Sequence, residues 1–301
     1  MKALVTGGSG FIGSTLTDAL IDKGWEVHTL DNLSATTHES FYFNNKATNH
    51  NFHLCDEANL IKLFKENSFD YVFHLAAESR IQPTLKNPPS ACNVNAVGTC
   101  QILQRALDTG VKRVMYSSTS SVYGLKNAPP LREDMPVDCL NPYSVSKYSG
   151  ELLCKMYLDL FGLETITFRY FNVYGPREPV RGLYAPVIGR FLNQYNNGEC
   201  MTVVGDGLKT RDYTHVNDVV GINILAAESD NPEAVGQVFN VGQGKSYSVM
   251  DLTEIIGGPH GLIPARPGEA QDTLADISKA RDLLGWDPKE NLVEYMKKQL
   301  T

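Results

Sequence analysis

The sequence predicts an α/β protein: a doubly wound, Rossmann-like parallel sheet followed by a smaller α/β segment. Two observations carry this. Short apolar runs alternate with helical stretches from the N-terminus to about residue 174, the pattern of a parallel sheet with its ligand at the carboxyl ends of the strands. After Pro176 that alternation loosens. With 42% apolar and 20% charged residues in a 301-residue chain, there is ample material for a globular core. The division expected is 1–174 for a dinucleotide-binding domain and 175–301, mainly, for a substrate domain, with the chain free to cross back.

Composition narrows the function classes. A net charge of -7 and a pI near 5.5 argue against nucleic-acid or anionic-membrane partners. The cysteines Cys55, Cys92, Cys100, Cys139, Cys154 and Cys200 are scattered without a C-x-x-C pair, as suits reduced thiols in a cytoplasm. His50 and His53 lack acidic or thiol companions, so no metal site is expected. No long apolar run is present, and a glycine turn begins already at Gly7, so no signal peptide is expected.

Taken in order, Lys2–Thr6 is a buried-strand run that breaks into Gly7-Gly-Ser-Gly10-Phe11-Ile12-Gly13, with a helix expected over Ser14–Lys23. In that context Gly7 permits the turn, Gly10 lets backbone approach a pyrophosphate, and Gly13 lets helix and strand pack closely. The helix N-terminus offers free N–H groups to the anion. Trp25–Leu30 is the second strand and ends on Asp31, followed by Asn32. A carboxylate there suits a ribose and repels a 2′-phosphate, which favours NAD over NADP. Ser34–Phe52 reads as a polar loop and Phe52–Leu54 as a short strand. Asp56 either reaches the adenine amine or caps a helix over Glu57–Glu66. Asp70–Leu75 is the next strand, running into Ala76-Ala77-Glu78-Ser79. Ser90–Asp108 reads as a helix carrying Asn95, and Arg113–Ser117 as the fifth strand.

A hydroxyl row, Ser117 to Ser121, follows that strand and faces the same crevice. Asn141 then reads as an N-cap and Pro142 as a first-turn residue of a helix running to about Phe161. Tyr143 and Lys147 fall one turn apart on one face of it. An ammonium beside a phenol favours the phenolate, so Tyr143 is expected to be a general base whose pKa Lys147 lowers. A lone Tyr-x-x-x-Lys is commonly an ordinary amphipathic pair; its position after the glycine turn and hydroxyl row distinguishes this one.

These stretches together resemble the extended short-chain dehydrogenase/reductase family, and within it the nucleotide-sugar epimerases. The matching residues are Thr6–Gly13, Asp31-Asn32-Leu33, His74–Ala77, Asn95–Thr99, Ser117–Gly124, Tyr143–Lys147 and Arg169–Pro176. The resemblance implies NAD held by Gly7, Gly10, Phe11, Ile12, Gly13, Asp31, Asn32, Asp56, Leu75, Ala76, Ala77, Asn95, Ser117, Tyr143, Lys147 and Tyr170. It implies Tyr143 as base, Lys147 on the nicotinamide ribose, and Thr119 hydrogen-bonded to the reacting hydroxyl. Dehydratase relatives carry Asp-Glu after that threonine, and decarboxylases a Glu; Ser120 and Ser121 stand there instead and cannot serve as an acid–base pair near neutral pH. Epimerisation, with hydride passed out and back, is what remains.

For the sugar nucleotide the resemblance implies Ser79, Thr119, Ser120, Ser121, Asn172, Arg211, Arg266 and Glu269, the arginines gripping a diphosphate. Glu269 stands where the family often has Asp. Alignment on Gly268 and Ala275-Asp276 places Thr273 beside the C2 substituent, where relatives restricted to glucose and galactose carry Tyr. A small residue there implies UDP-GlcNAc/UDP-GalNAc interconversion along with UDP-Glc/UDP-Gal; the bland alternative is that Thr273 caps a helix beginning near Asp276. Competing readings are another sugar nucleotide (a uronic acid or GDP-sugar) or, from another class, a catalytically silent NAD-binding scaffold. Apolar residues Leu152, Leu153, Met156 and Tyr157 and the family resemblance imply a homodimer built on two helices per subunit.

Overall fold

A computed structural model describes residues 1–35, 40–180, 185–265 and 271–300. The first half alternates strand and helix: β1 (Lys2–Thr6), α1 (Phe11–Asp22), β2 (Glu26–Asp31), β3 (Thr48–Asn51), α2 (Glu57–Glu66), β4 (Tyr71–His74), α3 (Ile81–Lys86), α4 (Pro88–Cys92), a π-helical turn (Asn93–Gly98), α5 (Thr99–Asp108), β5 (Arg113–Thr119), a 3₁₀ turn (Ser120–Tyr123), α6 (Pro142–Phe161) and β6 (Glu164–Tyr170). The second half is β7 (Val173–Tyr174), α7 (Val187–Asn196), β8 (Met201–Val204), β9 (Thr210–Asp212), β10 (Thr214–His215), α8 (Val216–Glu228), β11 (Val238–Val241), β12 (Ser246–Ser248), α9 (Val249–Ile256), β13 (His260–Ile263), α10 (Ser278–Leu284) and α11 (Leu292–Gln299), with a further 3₁₀ turn at Pro232–Ala234.

Seven parallel strands form one sheet in the order β11-β6-β5-β4-β1-β2-β3. The order reverses between β1 and β4, which opens a crevice at their carboxyl ends. β11 is supplied by the second half of the chain and completes the edge beside β6. One face of the sheet is covered by α1 and α8 through Leu16, Leu20, Val219 and Ile222, the other by α2, α5 and α6 through Leu60, Phe64, Ile102 and Tyr157. A separate core of Ile188, Phe191, Met201, Val203, Leu252 and Met296 holds the second half.

Several elements differ from the sequence reading. α1 begins at Phe11 rather than Ser14, because Gly10 takes the N-cap position. The third strand lies at Thr48–Asn51, inside the stretch read as loop, and Phe52–Leu54 follows it. Its residues Thr-Asn-His-Asn are polar because this edge strand faces solvent, which hides it from an apolar-run criterion. The helix expected over Ser90–Asp108 is interrupted by the π turn at Asn93–Gly98. A wider turn of this kind shifts the helical register and turns Asn95 fully inward.

α6 follows the sequence residue for residue. Ser144 N–H donates to Asn141 Oδ1 at 2.9 Å in a reciprocal capping box, and Gly162 closes the helix with φ 73°. Its inward face is polar: Ser144, Ser146, Lys147 and Glu151 are buried, while Val145, Leu152, Leu160 and Phe161 are exposed.

Candidate active site

A cleft of about 720 Å³ opens at the carboxyl ends of the strands and extends into the second half, lined from Gly7 to Thr273. Its floor is the glycine turn. Gly7 sits at φ +70°, and a Cβ on Gly13 would lie 2.1 Å from the Gly7 carbonyl oxygen. Gly10 offers no side chain to cap α1, so the first N–H groups of that helix face the cleft unfilled by protein. At the end of β2 the Asp31 carboxylate accepts from Ser9 N–H at 3.1 Å and Leu33 N–H at 2.9 Å. Those bonds fix it at the rim beside Asn32, Leu75, Ala76 and Ala77. A cradle this tight, with free helix N–H groups and a fixed carboxylate, fits a dinucleotide.

Thr119, Tyr143 and Lys147 line the same cleft from β5 and α6. The Lys147 ammonium does not act on Tyr143 as the sequence reading expected. It is buried, lies 4.3 Å from the centre of the Tyr116 ring, and burial pushes its pKa down to about 7. The Tyr143 phenol is raised, not lowered: burial dominates, and hydrogen bonding with Thr119 and the charge of Arg80 only partly oppose it. Spacing along a helix puts two side chains on one face; it does not say which neighbour each one turns to. Behind this pair, Glu151 takes Arg169 at 2.8 and 3.1 Å and the Ser118 hydroxyl, tying β5, α6 and β6 together. His74 bridges Thr6 at 2.7 Å and Thr99 at 2.9 Å, and burial holds its pKa near 3.

Most of the other expected residues line the cleft: Phe11, Ile12, Ser79, Ser117, Ser120, Ser121, Tyr170, Asn172, Arg211 and Thr273. Tyr170 accepts from Ser117 at 3.0 Å and from Asn223 at 2.8 Å. Asn172 donates to the Asp212 carbonyl at 2.8 Å. Arg211 donates to the carbonyls of Thr210 and Gln271. Thr273 does not cap a helix: its hydroxyl accepts from Asp212 N–H at 3.4 Å, whereas Asp276 bonds Ser278 before α10 begins. Asn95 is a correction. It is fully buried, accepts from Glu78 N–H, and donates to the Glu78 carbonyl and Ser146 hydroxyl, so it braces the cleft wall rather than lining it. Asp56 caps α2 by accepting from Asn59, and it too is absent from the lining. Arg266 and Glu269 lie outside the described residues.

Two groups escaped the sequence reading. Asp212, fully buried, accepts N–H groups of Gln243, Gly244 and Ala275 and so anchors the wall that carries Arg211 and Thr273. Arg80 and Glu178 both line the cleft. Glu178 adjoins the recognised Arg169–Pro176 motif, which was the available signal.

The sequence matches the GDP-mannose 4,6 dehydratase family over residues 4–299. The chain belongs to this family, within the extended short-chain dehydrogenase/reductases. Its relatives include a UDP-glucose 4-epimerase of Mycolicibacterium smegmatis, 37% identical, the match covering 99% of this chain and 97% of the relative. A UDP-N-acetylglucosamine 4-epimerase of Methanobrevibacter ruminantium, solved with UDP-N-acetylmuramic acid, superposes with a TM-score of 0.91 at 35% identity, covering 99% of this chain and 96% of the other. A UDP-glucuronic acid 4-epimerase of Bacillus cereus, solved with UDP-glucuronic acid and NAD, gives 0.89 at 30% identity, over 100% and 98%.

Proposed function

We propose that this protein is an NAD-dependent 4-epimerase of UDP-sugars. The preferred pair is UDP-GlcNAc and UDP-GalNAc, with UDP-Glc and UDP-Gal also converted. The observation that carries this reading is the convergence of Thr119, Tyr143 and Lys147 on the cleft that contains the glycine cradle, with serines where an eliminating acid–base pair would stand. NAD, held by the Gly7–Gly13 turn and Asp31, supplies reversible hydride acceptance at C4. Tyr143 takes the proton from the C4 hydroxyl and returns it, and Thr119 hydrogen-bonds that oxygen. Burial raises the phenol, and what opposes this is the hydrogen bond with Thr119 and the charge of the Arg80 guanidinium, which favour the phenolate. Lys147 would hold the nicotinamide ribose. Arg211, with Arg266, takes the diphosphate. Thr273 is small and forms part of the sugar wall, which leaves room for an N-acetyl group.

The test is incubation with UDP-Glc, UDP-GlcNAc, UDP-glucuronate and GDP-mannose without added cofactor, resolving products by chromatography. Epimers of the UDP-sugars are expected. A dehydrated 4-keto-6-deoxy product, or no turnover, sinks the reading. An isologous homodimer through α5 and α6 is part of the proposal: Tyr157 is buried and Leu153 and Met156 pack against the subunit's own core, but Leu152, with Val145 and Leu160, leaves exposed apolar surface on α6. Light scattering at micromolar concentration showing a monomer counts against it.

A further inference from the structure

Arg177 reaches from the second half of the chain to α1. Its guanidinium donates to Asp18 Oδ2 at 2.7 Å and lies 5.0 Å from the centre of the Tyr42 ring. Asp18 Oδ1 accepts from Asn44 Nδ2, also at 2.7 Å. One carboxylate on α1 therefore holds both the loop after β7 and the segment of Tyr42 and Asn44 between β2 and β3. That segment is fastened to the glycine turn as well, because Tyr42 N–H donates to the Ser9 carbonyl at 3.0 Å. Ser9 N–H in turn donates to Asp31. Both backbone groups of Ser9 are thus fixed, one by the rim carboxylate and one by the Tyr42 segment. Asp18, Tyr42 and Arg177 do not line the cleft, so they bear on its floor from behind.

Arg177 holds φ 70°, a left-handed conformation that glycine adopts freely and a side chain does not. A recess of about 340 Å³ lies among Ser14, Thr17, Asp18, Tyr42 and Arg177. None of the three contact residues belongs to a hydrophobic core. The side chain is held by its ion pair and its ring contact rather than by packing, on a backbone that would be easier without it. Strain kept at such a position points to a role for the side chain.

We propose that Arg177, Asp18 and Tyr42 form a clasp that keeps the glycine turn in its cofactor-ready shape and so retains NAD. Arg177 is a positioning residue: it acts through Tyr42 and Ser9 and does not touch the cofactor. The inference rests on the NAD-dependent reading above and adds what keeps the cofactor in place. With the clasp open, the Ser9 carbonyl loses its partner, the turn loosens, and the pyrophosphate faces donors that are no longer preorganised. An exposed ion pair and a cation–π contact together are worth about a tenfold change in that opening equilibrium. The neighbouring Glu178 and Pro179 line the cleft, so the clasp also ties a wall of the cleft to its floor.

Release of NAD from the holoenzyme, followed by exchange with excess fluorescent etheno-NAD, tests this. Arg177→Gly removes the clasp and relieves the backbone. Asp18→Asn removes the anion from a different element and leaves Arg177 in place. Each should speed release about tenfold. The melting temperature of NAD-stripped Arg177→Gly should stay within about 2 °C of wild type, because released strain offsets the lost contacts. Wild-type release should quicken between about 0.05 and about 0.5 M salt, since the ion pair is partly exposed and screened; both variants should lose part of that dependence. Release as slow as wild type in either variant overturns the clasp alone. Faster release from an Arg177→Gly protein that also melts well below wild type when stripped overturns it in favour of a general structural role. A wild type that holds no NAD overturns the epimerase reading, and the clasp with it.

Discussion

Replacing Lys147 by Met should make the cofactor-free protein more stable while abolishing its activity. Lys147 is 2% exposed, and burial lowers its pKa from 10.5 to about 7. At about 1.4 kcal/mol per tenfold change, that difference represents up to about 5 kcal/mol lost by holding the ammonium in the fold at neutral pH. The attraction of Glu151 already offsets part of the burial cost within that figure. Methionine matches the length and keeps the contact with the Tyr116 ring without the charge. Exchanges of this kind recover about 1–4 kcal/mol, so a gain of about 2 kcal/mol and a Tm higher by about 4 °C is expected. The pH dependence is the sharper check. Between about 7 and 10.5 the unfolded lysine binds a proton that the folded one does not, so wild-type stability from this group rises with pH across that window. The variant lacks the term. The gap between them should be full below about pH 7 and close by about pH 10.5. Thermal melts of NAD-stripped protein from pH 6 to 10 measure it. A variant that melts lower, or a gap that ignores pH, refutes the assignment of a buried, costly ammonium.

Tyr143→Phe keeps the ring and removes the proton acceptor; a rate loss of about a hundred- to ten-thousand-fold is expected with NAD still retained, and near-full kcat would put the base elsewhere. Thr273→Tyr overfills a position that is 7% exposed, so kcat/KM for the N-acetyl sugars should fall by about 1–3 kcal/mol while the plain hexoses are spared; equal losses on both pairs would show that Thr273 is not the gate. Gly13→Ala sets a Cβ 2.1 Å from the Gly7 carbonyl oxygen, and the protein should purify without the NAD that denaturation releases from the wild type. His74, held near pKa 3 against an ordinary 6.5, contributes stability that is complete above pH 6.5 and lost as pH falls through the folded value. Urea titrations at pH 7 and 4.5 should show a loss about 3 kcal/mol greater than for His74→Asn; parallel losses would mean that the imidazole is not buried neutral.

By itself the sequence determined those features that short-range chemistry specifies. Gly7 and Gly13 mark the turn because only glycine tolerates φ +70° at the first and a 2.1 Å approach at the second without steric conflict. α6 was legible from Asn141 to about Phe161 because its N-terminal cap is local. Alternating apolar runs sufficed for the parallel sheet. Tertiary structure alone decided what depends on residues far apart in the chain. The polar strand β3 exists because β2 pairs with it, and Asn95 turns inward because the π turn feeds it to Glu78 and Ser146. Lys147 turns to Tyr116, and the charge that bears on Tyr143 is that of Arg80, although helical spacing pairs Tyr143 with Lys147. Arg80, Glu178 and Tyr213 line one cleft from three distant segments. A pKa is set by the whole enclosure around a group, by what excludes water and which charges face it, and that enclosure exists only once the chain has folded.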